Sequence, residues 1–172
     1  MSELHPFTIS ASPFDNNRLQ ATIKESGNFT DTIGQTIAGD VARIEAAFGR
    51  FSYVFHNPAQ IVFIAGGVGI TPIMSMLRCL RDSDDRRPML LLYGNDAERD
   101  IIFREEIETL TENVRVVHVL NQPDENWRGE KGYITRELIE KHAGAMLSDA
   151  HVYLCGPPVM MDKVRQALQA LH

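Results

Sequence analysis

The 172-residue sequence predicts an α/β fold, a doubly wound parallel sheet preceded by a shorter antiparallel β region. From Pro58 onward, short runs that are almost wholly apolar (IVFIA, MLLLY, VRVVHVL and HVYLC) alternate with stretches whose apolar residues recur every three or four positions. Strands buried on both faces read as continuous apolar runs, and the helices that cross between parallel strands carry a period of about 3.6 residues. Before Pro58 the period is two. Leu19, Ala21 and Ile23 alternate with Arg18, Gln20, Thr22 and Lys24, the pattern of a half-exposed antiparallel strand.

In chain order, residues 5–10 (HPFTIS) and 18–24 read as strands of the first region. A helix is expected over 28–38, carrying Ile33 and Ile37, and a further strand near 41–45. The segment HNPAQ reads as a linker, which divides the chain into residues 1–57 and 58–172. Beyond it, each apolar run is a strand. The stripes Ile73, Met76 or Leu77, and Leu80; Phe103, Ile107 and Leu110; and Met161, Val164, Leu168 and Leu171 are core faces of helices. The pair Met160-Met161 reads as packing against the sheet rather than as a binding surface. There is no internal repeat and no low-complexity stretch.

Composition excludes several classes. With 23 acidic against 17 basic residues the formal charge is −6, so no excess of Lys and Arg is present to displace counterions from a nucleic acid. Cys79 and Cys155 are the only cysteines, too few for a disulfide framework or the four thiolates of an iron–sulfur cluster, which favours a reducing compartment. The apolar runs fall well short of the ~20 residues that span a bilayer, and the N-terminus has no basic-then-apolar signal pattern. A soluble, cytoplasmic chain is expected. No cluster of metal ligands stands out, and no histidine pair spaced along an apolar helix suits haem.

The strongest local motif is Ala65-Gly66-Gly67-Val68-Gly69-Ile70-Thr71-Pro72, between an apolar strand and a helical stripe. A tight strand-to-helix turn of residues without a Cβ lets the backbone approach a phosphate, and the helix start adds unpaired N–H groups and partial positive charge. Thr71 is expected as the N-cap and Pro72 as the first helical residue. The alternative is a turn that merely connects two elements, but a strand before and a helix after favour a nucleotide site. Pro72 stands where the usual dinucleotide fingerprint has its third glycine. A second motif, Leu154-Cys155-Gly156-Pro157-Pro158, ends the last strand and would face the same crevice; a buried structural thiol is the alternative for Cys155. A third, Tyr93-Gly94-Asn95, ends the second strand, with Arg99 beyond it either as partner of a ribose 2′-phosphate or as a solvated loop charge.

Together with HPFT at residues 5–8, the order G-x-G-x-x-P, Y-G-N, C-G-P-P resembles the ferredoxin–NADP reductase superfamily, over nearly the whole chain. The spelling HPFT, where most members have R-x-Y-S, is similar to the ferric reductase and NADPH oxidase branch. The resemblance implies an NAD(P)-binding α/β domain at 58–172 after part of an antiparallel β-barrel that binds FAD at 1–57. On this basis His5, Phe7 and Thr8 lie on the flavin-facing strand, with Phe7 against the isoalloxazine and Thr8 near N5. Gly27, Asn28, Phe29 and Thr30 match the helix start that holds the FAD pyrophosphate, and Ala46-Ala47-Phe48-Gly49 a degenerate form of a further flavin loop. Gly67, Gly69, Thr71 and Pro72 would bind the pyrophosphate of NAD(P)H. Cys155, Gly156 and Pro157 would border the nicotinamide, and Tyr93, Gly94, Asn95, Asn121 and Arg128 would surround the adenosine half.

The implied reaction passes a hydride from nicotinamide C4 to flavin N5, with Thr8 and Cys155 nearest the reacting atoms. Electrons then go on singly to an acceptor, in that branch a haem-bearing membrane domain of a longer parent at whose cytoplasmic face this portion would sit. Members of the superfamily have strands before the flavin strand and one after the C-G-P-P helix, so a fragment of a longer reductase is expected. Two rival readings stay open: a soluble NAD(P)H–flavin reductase, and a nucleotide-binding module inactive by itself.

Overall fold

The computed structural model describes residues 4–15, 18–45 and 48–171. Its centre is one all-parallel sheet of β1 (Gln60–Gly66), β2 (Met89–Asn95), β3 (Val114–Leu120), β4 (Glu130–Lys131) and β5 (Ala150–Cys155), in the spatial order β4-β3-β2-β1-β5. The helices are α1 (Thr30–Ile33), α2 (Ile70–Asp82), α3 (Arg104–Glu108), α4 (Arg136–Ala143) and α5 (Pro158–Gln169). Phe63 on β1 lies beside Leu91 of β2 and Tyr153 of β5, which fixes the register at the middle of the sheet.

Alternation along β1 and β2 sorts their side chains onto two cores. Ile61, Phe63, Ala65, Leu91 and Tyr93 pack with Ile73, Leu77 and Leu80 of α2 and Ile107 of α3. Val62, Ile64, Leu90 and Leu92 pack on the other face with Leu138 and Ile139 of α4 and Val164 of α5. Burial of such a side chain stabilises by roughly 1.5–3 kcal/mol, so both faces of the central strands contribute. That is why their sequences read as unbroken apolar runs. On α5 the inward residue is Met160 rather than Met161.

From β1 the chain steps outward through β2 and β3 to β4, then returns to lay β5 on the other side of β1. The order reverses between β1 and β5. In open α/β sheets the crevice outside the carboxyl ends of the strands at such a reversal is where ligands bind.

The region before β1 departs from expectation. The strands expected at 5–10 and 18–24 meet in one antiparallel bridge, Ile9 to Ala21, with the Ser10 N–H donating to the Gln20 carbonyl at 2.7 Å. The helix expected over 28–38 is confined to Thr30–Ile33, because Ile37 has no core to face, being 72% exposed, and Gly39 turns the chain at φ +103°. At 41–45 there is no strand: no partner among the described residues pairs with it, and Val41 is fully exposed. The first region is nonetheless tied down at its end, where Tyr53 joins the core of β1 and Arg87 donates to the Pro58 carbonyl at 2.5 Å. Among the described residues no helix is long and apolar enough to cross a membrane.

Candidate functional site

Two cavities open at the carboxyl end of the sheet. One of about 730 Å³ runs from the turn after β1 across the ends of β2 and β3 to the loop after β4. The other, about 440 Å³, lies between the start of α2, the end of β5 and residues 6–8. They meet over Gly66, Gly67 and Val68 on one wall and Thr22, Ile23 and Lys24 on the other. The result is a continuous crevice with the glycine turn at its midpoint.

Each glycine of the turn has its own reason. Gly67 has φ +51° and open space where a Cβ would be, so its bare backbone faces the crevice. Gly66 and Gly69 are needed for contact instead. A Cβ on Gly66 would come within 2.3 Å of the Met160 sulfur, and one on Gly69 within 2.3 Å of the Cys155 carbonyl oxygen. Gly156 presses back, 3.1 Å from the Gly66 nitrogen by the same measure. Gly66, Gly69 and Gly156 thus let the turn and the end of β5 interlock, which holds the C-G-P-P segment beside the helix start. Helix α2 begins at Ile70 with Gly69 in the capping position, so the expected N-cap role of Thr71 and first-residue role of Pro72 do not hold. Pro72 is harmless within the first turn, where N–H groups lack helical partners. Thr71 is buried and, with Pro72, lines the smaller cavity.

Tyr93 is completely buried behind the turn. Its hydroxyl donates to the Gly67 carbonyl at 3.1 Å and accepts from the Ile102 N–H at 3.3 Å, and burial raises its pKa to about 12. It braces the turn from below and lines neither cavity. Gly94, Asn95 and Asn121 line the larger cavity, as does Arg99, while Arg128 lines neither. The Asn95 amide is near enough to Tyr93 to favour its ionised form, yet neither its Nδ2 nor its Oδ1 makes a hydrogen bond of acceptable geometry, although both are buried. Leaving such groups unpaired costs roughly 1–3 kcal/mol each, and Asn95 lines the larger cavity.

Cys155, Gly156 and Pro157 border the smaller cavity, as do Phe7 and Thr8. Burial pushes the Cys155 thiol above its ordinary 9.0. The thiol is therefore neutral at physiological pH and offers bulk and polarisability rather than a nucleophile. His5 stacks on Phe29 at 3.8 Å between ring centroids, and Phe7 lies 6.2 Å from Phe29, so the first strand and the start of α1 share an aromatic cluster. Gly27 takes φ +106°, and Thr30 Oγ1 accepts from the Ser26 N–H at 2.7 Å. Gly27, Asn28, Phe29 and Thr30 line neither cavity. Of the degenerate loop, Ala46 and Ala47 fall outside the described residues, and Phe48 is largely exposed.

Sequence reasoning missed several wall residues. Thr22, Ile23 and Lys24 read as a plain strand, and nothing in their spelling announces that they close the crevice. Asp96 and Asp100 line the larger cavity with Arg99, and these three, like Tyr133 and Lys163 of the same cavity, are exposed to solvent. The loop after β4 and helix α4 were legible in principle: Thr135 caps α4 by accepting from the Leu138 N–H, and Ile134, Leu138 and Ile139 follow helical spacing. A long crevice with bare backbone at its centre and an unpaired amide at one end fits a dinucleotide. The smaller cavity, edged by the Phe7 ring, fits one flat ring against another.

A family model described as an oxidoreductase NAD-binding domain matches residues 63–166. The chain is 33% identical to NADH–cytochrome b5 reductase 1 of Arabidopsis thaliana over 175 residues, covering 98% of this chain and 62% of the relative. It is 32% identical to NADH-cytochrome b5 reductase 1 of Lodderomyces elongisporus over 152 residues, covering 86% of this chain and 51% of the relative. The chain spans about half the length of the curated relatives it matches. Among solved structures, it is similar to the cytochrome b5 reductase domain of Ulva prolifera nitrate reductase (28% identity, TM-score 0.61, 66% of this chain and 46% of the other). It shares its fold with a ferredoxin NADP+ reductase from Neisseria gonorrhoeae (19% identity, TM-score 0.78, 96% and 71%). These relatives support the ferredoxin reductase-like superfamily, and they are cytochrome b5 reductases rather than members of the ferric reductase branch that HPFT suggested. With its glycine turn at the head of a doubly wound sheet and a family match over residues 63–166 that takes in that turn and the ends of the strands beside it, the chain belongs to the oxidoreductase NAD-binding domain family.

Proposed function

We propose that this chain is the nicotinamide-nucleotide half, with part of the flavin face, of an NADH-dependent FAD oxidoreductase that hands electrons singly to a haem-bearing acceptor. The observation that carries the reading is the joining of the two cavities over Gly66 to Val68, which puts a nucleotide-sized crevice end to end with a ring-sized one. When bound, NADH and FAD supply the chemistry, a hydride leaving the nicotinamide for the flavin. The protein's task is to hold two rings in contact and keep water out.

Each residue has a part in that task. Gly67 offers backbone to a pyrophosphate, and Asn95 supplies the amide that a nucleotide's polar groups would satisfy. Thr8 and Cys155 both line the smaller cavity, where the rings would meet. Asp96 and Asp100 favour a ribose 2′-hydroxyl, which can donate to a carboxylate, over a 2′-phosphate. The relatives' names, which specify NADH, support the same preference. A haem acceptor is supported both by those names, which specify cytochrome b5, and by the HPFT spelling; ferric reductase activity is the narrower version of the latter. The two free thiols suit a reducing compartment such as the cytoplasm.

A specific observation favours a second reading, a nucleotide-binding module without flavin: among the described residues the flavin-side strands share one β-bridge rather than a continuous ladder. Anaerobic visible spectroscopy of the chain with FAD, then NADH and separately NADPH, decides between them. Bleaching of bound flavin by NADH in preference to NADPH is the expected result. Nucleotide binding without flavin binding selects the second reading, and absence of both overturns the proposal.

A further inference from the structure

Arg78 is a charged side chain with little business in the interior, yet it is only 8% exposed and sits on α2 with every arm engaged. Its Nε and Nη2 donate to the two Glu106 oxygens of α3 at 2.8 and 2.5 Å. Its Nη1 reaches the other way, to the Ser10 carbonyl at 2.6 Å and the Gln20 Oε1 at 2.8 Å. The guanidinium also lies 4.8 Å from the centroid of the Phe103 ring. One planar group therefore joins two helices of the α/β domain to both strands of the flanking region.

The neighbours on α2 repeat the pattern. Ser75, one turn earlier, donates its hydroxyl to the Ala11 carbonyl at 2.8 Å, and Asp82, one turn later, is held in its ionised form by the Ser12 hydroxyl. Ser10, Ala11 and Ser12 are consequently buried although they belong to a region that is otherwise mostly exposed. Connectivity gives this suture a consequence for the site. Ser10 is two residues from Thr8 and Gln20 two from Thr22, which line the crevice on one side. Helix α2 starts at the glycine turn, which lines it on the other, about 12 Å from Arg78 at 1.5 Å per residue.

Resting on the function proposed above, we infer that Arg78 is a positioning residue: through Ser10 and Gln20 it sets the separation between the Thr8 and Thr22 wall and the glycine turn, and so the gap across which the hydride passes. It touches neither cavity. Lys cannot replace it, because a single ammonium cannot reach the carboxylate and the two strand acceptors together.

The test compares wild type with Arg78→Lys and Gln20→Leu, the latter removing only one arm in case the former fails to fold. Amide hydrogen exchange, NADH affinity by calorimetry, and the rate of anaerobic flavin reduction at saturating NADH are measured on each. Expected are faster exchange over residues 8–12 and 18–24 with β1 and β2 unchanged, NADH affinity within about twofold, and flavin reduction slowed roughly 10- to 100-fold in Arg78→Lys, as a displacement near 1 Å would cause. Gln20→Leu should fall between it and wild type. Unchanged exchange in both variants overturns the inference, as does faster exchange with an unchanged reduction rate. A parallel loss of NADH binding also overturns it, marking Arg78 as a general support. If wild type itself reduces no flavin, it is the functional reading that fails. The exchange comparison then decides whether Arg78 sets the wall at all.

Discussion

Tyr93 braces Gly67 with one hydroxyl that both donates and accepts, so Tyr93→Phe strips a bond from a carbonyl and another from an N–H. At about 1 kcal/mol net for each, the variant should lose roughly 2 kcal/mol of stability by urea denaturation and bind NADH several-fold more weakly, although Tyr93 never meets the ligand. Gly69→Ala should cost a similar amount. Its methyl would enter the Cys155 carbonyl at 2.3 Å, with backbone on both sides unable to yield, and overpacking of this kind costs roughly 1–3 kcal/mol. At Cys155 the expected effect is on rate. Cys155→Ala and Thr8→Ala should each slow flavin reduction in stopped-flow traces more than they raise the NADH dissociation constant. The raised thiol pKa means that Cys155 favours the fold while protonated, a contribution present below the unfolded-state value and lost as pH rises through the folded one. Iodoacetamide at pH 8 should therefore label it more slowly than it labels a cysteine peptide.

At the scale of elements, α2 has two jobs: its apolar face completes a core and its opposite face carries Ser75, Arg78 and Asp82 toward the flanking strands. The Arg78 guanidinium, with Arg81 at 3.3 Å, holds the Glu106 carboxyl below its ordinary 4.5. A depressed carboxylate contributes stability that is present above the unfolded-state value and is lost as pH falls through the folded one. Glu106→Gln should thus be less stable than wild type at pH 7, and the gap should close on acidification below about pH 4.5, as read from urea midpoints. The elements also divide by how well the sequence announces them. Strands β1, β2, β3 and β5 lie where the apolar runs place them; in β1 and β2, burial on both faces leaves an unbroken local signature, while the more exposed β3 and β5 keep enough apolar residues to be read. Helix α1 is shorter than the sequence suggests and the strand at 41–45 does not form, because a half-exposed strand depends on a partner that its own residues do not specify. In the site, the glycine turn and C-G-P-P are legible, since lack of a Cβ is a property of the residue itself. Thr22, Ile23, Lys24, Asp96 and Lys163 are not, since their role comes only from what folds opposite them.

For the whole molecule, stability should grade outward from the central strands. Amides of β1, β2 and β5 are expected to exchange last, those of 8–12 and 18–24 earlier, and those of 36–45 first, where side chains such as Ile37, Val41 and Ile44 lie open to solvent. A native-state exchange series in low denaturant would read this order directly. The same gradation sets what can be redesigned. Gly69 has no room for even one methyl group against the Cys155 backbone, and Gly66 and Gly156 are tight against Met160 and each other, so the floor of the crevice cannot be edited at Gly69 without moving the end of β5. Asp96, Arg99, Asp100, Tyr133 and Lys163 stand at its rim with side chains that reach into solvent. An engineer seeking a different nucleotide preference therefore has a short menu: substitutions at the rim trade selectivity freely, whereas the floor works as fixed tooling that every redesign of this crevice must share.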